Sequence, residues 1–224
     1  MKKGFFDKFL TFLLIIFVIA ILSGLGYLIY KYYQKYKIND DSSDYLNGVF
    51  DTYINDIVPD DEDEVDETNA VKEQTGTGSE GTRGINSDAL SYRGYRVEGK
   101  LEMPSVKLQY PVLEEMKNIN ELEISVAIQY GVGLNKVGNT VIIGHNYRSG
   151  LFFGSNKKMN IGDSIFITDS ATGKRIEYKI YNKYTTEEND TSFYNRNTNG
   201  KREVSLVTCM SNNNYRLVIL AREV

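Results

Sequence analysis

The first hydrophobic feature of the chain is an unbroken apolar run from Phe9 to Tyr30, twenty-two residues without a charged side chain. As an α-helix rising about 1.5 Å per residue, it would extend about 33 Å, which is enough to cross a bilayer. It is longer than the apolar centre of a secretory signal, and no small-x-small cleavage motif follows it. The pattern predicts an uncleaved transmembrane helix over 9–30. Three lysines on each side leave its orientation open by the charge count: Lys2, Lys3 and Lys8 before it, and Lys31, Lys35 and Lys37 after it.

A second helical pattern lies over residues 44–58, where apolar side chains recur every three to four positions. Ser42, Ser43 or Asp44 provides an N-cap, and Pro59 provides a stop. We expect this amphipathic helix to pack on the following domain, to pair with a second copy, or to lie on the membrane. Its acidic side chains disfavour the last arrangement, because membrane surfaces are anionic.

An acidic, glycine-rich stretch follows this helix. Between residues 40 and 67 there are twelve Asp or Glu and no Lys or Arg. Residues 59 to about 88 are too charged and too rich in glycine to bury much surface. We therefore expect a tether that holds a globular domain at an adjustable distance from a membrane.

From about residue 91 the pattern changes to short β-branched runs separated by turn residues. The seven runs are YRVEGKLEM, KLQYPVL, TVIIGH, SIFIT, RIEYKIY, EVSLVTC and YRLVILARE. This number of strands in about 134 residues predicts a mostly β fold, a closed or nearly closed β-barrel. One interruption, NINELEISVAIQYG, reads as a helix with Asn120 and Glu123 as its capping box and Gly131 as its end.

Composition excludes several kinds of site. One cysteine cannot form an internal disulfide, and with a single histidine it cannot complete a Cys/His zinc site. The barrel segment has only a mild, unclustered basic excess, so nucleic acid is not an expected partner. We predict no metal and no cofactor.

The sole cysteine ends an apolar strand. Side chains alternate along EVSLVTC, so Ser205, Val207 and Cys209 share one face. If the hairpin to YRLVILA is symmetric about Asn212 and Asn213, Cys209 stands directly opposite Arg216, with Cβ atoms about 4.5–5.5 Å apart. A register slip of one residue would remove this pairing.

The sole histidine also follows a strand. His145 comes directly after the buried-looking run NTVIIG and starts a loop. Taken singly, a cysteine is usually a small buried hydrophobe, and such a histidine is usually a surface residue. Together, thiol, imidazole and guanidinium suit acyl transfer, because they provide a nucleophile, a proton carrier and a stabiliser of an oxyanion.

These motifs resemble those of the sortases, which are membrane-anchored cysteine transpeptidases of Gram-positive bacteria. SLVTC is similar to the family's Thr-Leu-x-Thr-Cys ending, with Ser205 in place of the usual Thr. NTVIIGH resembles the segment that ends in the catalytic histidine, and RLVILA resembles the strand that carries the catalytic arginine. GKLEMPSVKLQYPV and LFFGSNKKMNIGDSIFI also look like family segments, so the resemblance covers about residues 91–224.

The resemblance implies an eight-stranded barrel with short helices and a catalytic set of His145, Cys209 and Arg216. Cys209 would attack a Thr carbonyl in a sorting signal of the Leu-Pro-x-Thr-Gly kind to form a thioester. His145 would protonate the leaving amine, and Arg216 would steady the tetrahedral intermediate. The implied partners are surface proteins that bear such signals and an amine of a peptidoglycan precursor or a pilin. The family also implies that the N-terminus is inside the cell membrane and the catalytic domain outside.

Other functions stay open at this stage. The same residues serve a pilin-polymerising sortase, or a thiol peptidase that passes its acyl group mainly to water. A membrane-tethered binding module without catalysis is disfavoured, because all three catalytic residue types are present.

The predicted organisation has four parts. Residues 1–8 form a cytoplasmic tail and 9–30 a transmembrane helix. An acidic extracellular linker over 31–90 contains the helix at 44–58, and the catalytic domain spans 91–224.

Overall fold

The computed structural model describes residues 3–58, 90–210 and 214–224. The chain divides into two compact units, Met1–Ser42 and Ser43–Val224. The tether predicted over 59–88 lies outside the described residues, and the four predicted domain boundaries stay predictions.

A long helix, α1 (Lys3–Tyr45), contains the N-terminal apolar run. The large apolar side chains of this run are exposed throughout. Within the described ranges, one helical stretch is long and apolar enough to cross a membrane, as the sequence predicts.

The helical chain continues beyond α1 through a π-helical turn, Leu46–Phe50, into α2 (Asp51–Ile57). Leu46 and Phe50 are completely buried, in one apolar cluster with residues that include Leu90, Tyr92 and Leu113. Of the three arrangements that the sequence left open, the structure has the first, in which this segment packs on the following domain.

Nine strands occur in the described residues that follow α2. They are β1 (Ser91–Tyr92), β2 (Tyr95–Met103), β3 (Leu108–Glu115), β4 (Val126–Gly131), β5 (Gly138–Ile143), β6 (Ser164–Asp169), β7 (Arg175–Glu187), β8 (Arg202–Cys209) and β9 (Tyr215–Glu223). Short 3-10 helices lie at Pro104–Val106, Ile119–Glu123 and Phe153–Lys158. Each of the seven predicted β-branched runs forms a strand.

Eight of the strands close into a barrel. The strand order is β1-β2-β3-β4-β5-β8-β9-β7-β6, and β2 also pairs with β6 to complete the ring. β1 is a short addition that forms a hairpin with β2. The β3–β4 and β5–β8 pairs are parallel and the other pairs are antiparallel. The predicted mostly β, closed eight-stranded fold is therefore confirmed.

A glycine allows the barrel to close between β2 and β6. Gly99 on β2 pairs with Asp169 on β6. A Cβ at this position would lie 2.3 Å from the Thr168 carbonyl oxygen. Only glycine allows this close approach of the two backbones.

The helix predicted over 120–131 is wrong. Only Ile119–Glu123 is helical, and its capping box is formed by Asn118 and Glu121 rather than by Asn120 and Glu123. Val126–Gly131 is β4, which pairs with both β3 and β5. A short apolar run fits a buried helix or a strand equally well, and the ladder bonds to two neighbours decide for the strand.

Candidate active site

The ends of β5, β8 and β9 surround a cleft of about 470 Å³. Its walls carry one thiol, one imidazole and a mixture of cationic and acidic groups. The lining residues are His145, Asn146, Tyr147, Arg148, Lys157, Glu188, Cys209, Met210 and Arg216. All three residues predicted from the sequence as catalytic, His145, Cys209 and Arg216, therefore lie on one cleft.

Cys209 is the last residue of β8 and pairs directly with Arg216 on β9. The register predicted from the symmetry of the hairpin is thus confirmed. The Met210 N–H donates to the Tyr215 carbonyl at 2.8 Å, so the ladder extends one residue past Cys209. Cys209 is a free, partly exposed thiol, which a substrate can reach from the cleft.

Three hydrogen bonds tie the start of the His145 loop to β8. The Gly144 N–H donates to the Val207 carbonyl at 3.3 Å. The buried Thr208 hydroxyl donates to the Gly144 carbonyl at 2.6 Å. The Asn146 amide donates to the Cys209 carbonyl at 2.7 Å. Residues on both sides of His145 are therefore bonded to the strand that carries the thiol.

The other end of the same loop folds back and bonds to residues 145 and 146. The Phe153 N–H donates to the His145 carbonyl at 3.0 Å, and Asn146 forms an isolated β-bridge with Phe152. A Cβ at Gly154 would lie 2.1 Å from the Tyr147 carbonyl oxygen. Because glycine stands at 154, the loop can fold back closely enough to hold His145 at the cleft.

A carboxylate that sequence reasoning did not assign to the site lies beside the imidazole. Glu123 Oε1 is 3.1 Å from His145 Nε2. The other carboxylate oxygen, Oε2, accepts a hydrogen bond from the Tyr147 hydroxyl. The sequence placed Glu123 in a helix cap, and no spacing signal linked it to His145, twenty-two positions later in the chain.

Arg216 has an acidic neighbour in the cleft. Its Nη2 lies 3.7 Å from Glu188 Oε2, and its Nη1 donates to the Tyr215 carbonyl at 3.3 Å. Arg148 and Lys157 add two further cations to the walls. The lining therefore has more cationic than acidic side chains, which suits an oxyanion or another anionic part of a ligand.

The opposite end of β8 carries a buried ion-pair cluster, named here the Glu203 cluster, of Glu203, Arg196, Arg222 and Tyr181. The Glu203 side chain is 0% exposed and contacts both guanidinium groups. It also accepts a hydrogen bond from the Tyr181 hydroxyl at 2.9 Å. Arg196 extends the network to Asn139 at 3.0 Å. The buried Glu203 carboxylate is therefore paired with two cations, of which Arg222 is partly exposed, and the buried Arg196 Nε has no hydrogen-bond partner among the described residues.

No group of three or more His, Cys, Asp or Glu side chains suited to a metal ion occurs in the part of the chain that the structure describes. A thiol, an imidazole and a guanidinium at one opening can perform nucleophilic acyl transfer.

Known proteins are similar to the barrel segment of this chain. A family model described as the Sortase domain matches residues 101–224. The chain is 28% identical over 127 residues to Sortase A of Bacillus anthracis, covering 55% of this chain and 58% of that protein. It therefore spans well under two thirds of the length of this relative.

Several solved structures share the fold, and two of them serve as examples. Streptococcus pneumoniae Sortase C has a TM-score of 0.53 at 20% identity, covering 61% of this chain and 70% of that one. The Clostridium perfringens Sortase D5 transpeptidase has a TM-score of 0.51 at 21% identity, covering 57% of this chain and 79% of that one. Because the family model covers more than half of the chain and matches the segment that builds the cleft, the chain belongs to the sortase family.

Proposed function

We propose that this protein is a cysteine transpeptidase that cleaves a sorting signal of the Leu-Pro-x-Thr-Gly kind and transfers the acyl fragment to an amine. The observation that carries the proposal is the direct pairing of Cys209 with Arg216 at the cleft that His145 also lines. In this assignment Cys209, His145 and Arg216 are the catalytic residues.

The first half-reaction forms a thioester. The Cys209 thiolate attacks the carbonyl carbon of the Thr in the signal, and the carbonyl electron pair moves to the oxygen. Arg216 stabilises that oxyanion by charge and hydrogen bonding. As the C–N bond breaks, protonated His145 gives its proton to the leaving amine, and the acyl fragment stays on sulfur.

The second half-reaction reverses these roles. Neutral His145 takes a proton from the incoming amine, whose nitrogen attacks the thioester carbonyl. The C–S bond then breaks, and Cys209 leaves as a thiolate beside the reprotonated imidazole. One peptide bond has been exchanged for another, so no energy source or cofactor is consumed.

The N-terminal helix supports a location at the cell membrane. We assign residues 9–30 of α1 as a single-pass anchor with the N-terminus inside and the barrel outside. This arrangement would place the cleft beside secreted proteins that carry the signal and beside cell-wall amines.

The acceptor is proposed as a peptidoglycan-type amine. The fold likeness to a sortase C and to a sortase D5 is nearly equal, with TM-scores of 0.53 and 0.51, so the fold does not identify the class of sortase. A pilin amine as acceptor, or water in a mainly hydrolytic enzyme, would use the same three residues.

The test uses the full chain in detergent micelles with a fluorogenic sorting peptide and a peptidoglycan-type amine. We expect cleavage and an amide product from the unmodified protein and neither from Cys209→Ala. Undiminished product from folded Cys209→Ala would refute the proposed nucleophile. If the acid product dominates at saturating amine, the proposed transfer is wrong and the enzyme is mainly hydrolytic.

A further inference from the structure

The carboxylate beside His145 comes from a different part of the barrel than the three proposed catalytic residues. Glu123 ends the 3-10 helix Ile119–Glu123, just before β4. Its Oε1 lies 3.1 Å from His145 Nε2, with side-chain exposures of 60% for Glu123 and 29% for His145. At this distance a carboxylate favours the protonated imidazole over the neutral one.

Tyr147 fixes this carboxylate from the other side. The Tyr147 hydroxyl donates to Glu123 Oε2, and its ring lies 5.3 Å, between centroids, from the His145 ring. Partial burial and the adjoining Glu123 carboxylate raise the pKa of Tyr147. The phenol therefore stays protonated and remains a hydrogen-bond donor throughout the neutral range.

The ring of Tyr147 is itself held by the core. Its centroid lies 5.8 Å from that of Phe152, which is fully buried. Phe152 packs in turn on the buried Tyr110, whose hydroxyl accepts a hydrogen bond from the Phe152 N–H at 2.9 Å. A chain of contacts thus runs from the barrel interior through Tyr147 to Glu123 and the imidazole.

Other charged groups face the imidazole across the cleft. Arg148 lies on its own loop, Lys157 on the 3-10 helix that follows, Glu188 after β7, Cys209 on β8 and Arg216 on β9. The three cations disfavour an imidazolium, and Glu188 is engaged with Arg216. Glu123 is therefore the carboxylate placed to offset these cations at His145.

We propose that Glu123 is a positioning residue of the active site, whose carboxylate, fixed by Tyr147, orients the His145 imidazole and stabilises its protonated form. This inference rests on the proposed function, because it assigns His145 the proton transfer. It extends the site from three residues to five and gives each added residue a defined contact.

The catalytic rate depends on the protonation states of Cys209 and His145. Attack requires Cys209 as thiolate and departure of the amine requires His145 as imidazolium, so the rate follows the population that holds both charges. An exposed ion pair contributes modestly, and removing the carboxylate is expected to lower the imidazolium population about two- to fivefold. The plateau rate falls by the same factor, and the acid limb of the pH–rate profile moves to lower pH.

The single histidine makes a direct measurement feasible. In the full chain in detergent micelles, labelled histidine gives one imidazole signal, which belongs to His145. We expect Glu123→Gln to move its titration midpoint to lower pH and to reduce transpeptidation two- to fivefold. The acid limb and the NMR midpoint should shift together. Tyr147→Phe should produce a smaller change in the same direction.

A matched charge control is available on α2. Asp56 is exposed there. The end of α2 lies beside the β6–β7 turn, since a Cβ added at Gly173 would be 2.2 Å from the Val58 side chain. None of these residues lines the cleft. Asp56→Asn removes one carboxylate charge and should change neither the His145 midpoint nor the rate.

The outcomes separate the two proposals. An unchanged midpoint in Glu123→Gln overturns the role of Glu123, whether the rate falls or not, because a purely structural effect would lower the rate without moving the titration. An inactive unmodified protein would instead refute the proposed transpeptidase function. The His145 titration midpoint in Glu123→Gln would still show whether Glu123 stabilises the protonated imidazole.

Discussion

The two ends of β8 carry polar side chains under opposite conditions. At the start of the strand, Glu203 is completely buried and is bound by two guanidinium groups and a phenol. At the end of the strand, Cys209 is partly exposed and faces a cleft together with Arg216 and His145. One end uses its charges to hold the fold, and the other keeps polar groups available to a ligand.

One strand can therefore serve stability at one end and chemistry at the other. Buried charges are costly to desolvate and are tolerated only where they are paired. The Glu203 cluster satisfies that requirement internally, so its loss should appear in unfolding. Groups at the cleft contribute less to folding, so their loss should appear in activity.

Glu203→Leu should destabilise the protein more than any other change considered for β8. This change leaves the guanidinium groups of Arg196 and Arg222 without their buried anion, which costs about 3 kcal/mol of unfolding free energy. Chemical denaturation of the full chain in detergent, followed by near-UV circular dichroism, measures it.

Cys209→Ala is the matched variant at the other end of the strand. It should lose activity while its unfolding free energy changes by less than about 1 kcal/mol. Equal destabilisation by the two variants would remove the proposed division between the ends of β8.

An intermediate effect is expected from Thr208→Val, which adjoins the thiol and is buried. The Gly144 carbonyl loses its 2.6 Å hydrogen bond, at a cost of about 1–3 kcal/mol. Because this bond positions the residue before His145, the rate of peptide cleavage should also fall about tenfold. Thr208→Ser keeps the hydroxyl and should restore most of both quantities. Loss of stability without loss of rate would show that the bond does not position the site.

The smallest effect concerns acid stability at the start of β8. The Arg202 backbone N–H, and then its guanidinium, lower the pKa of Glu223 below the ordinary value of 4.5. A lowered folded-state pKa contributes stability that is present above about 4.5 and is lost as the pH falls through the folded-state value. The stability advantage of the unmodified protein over Glu223→Gln should therefore be constant near neutrality and vanish in acid. Unfolding midpoints between about pH 7 and pH 3 test this, and a difference that grows in acid would contradict it.

The strands of the barrel were largely predictable from the sequence because their signals are local. Alternation and β-branched residues marked seven runs, and the symmetry of the last hairpin gave the pairing of Cys209 with Arg216. These features depend on neighbouring positions in the chain. The family resemblance then supplied the eighth strand and the order of the motifs.

The predictions that failed concern contacts between residues that are distant in sequence. β4 was mistaken for a helix because its strand character comes from pairing with β3 and β5. That error also hid Glu123, which reaches His145 only after the barrel has closed. The Glu203 cluster was likewise unpredictable, since it joins β7, β8, β9 and the β7–β8 connection.

A trapping experiment can locate the acyl group during turnover. The full chain is mixed with a sorting peptide without an amine, and the trapped adduct is located by mass spectrometry after digestion. A mass increase equal to the acyl fragment is expected on the peptide that contains Cys209. The adduct should be released by added amine and absent in Cys209→Ala. An adduct on another residue, or product without any adduct at Cys209, would contradict the account.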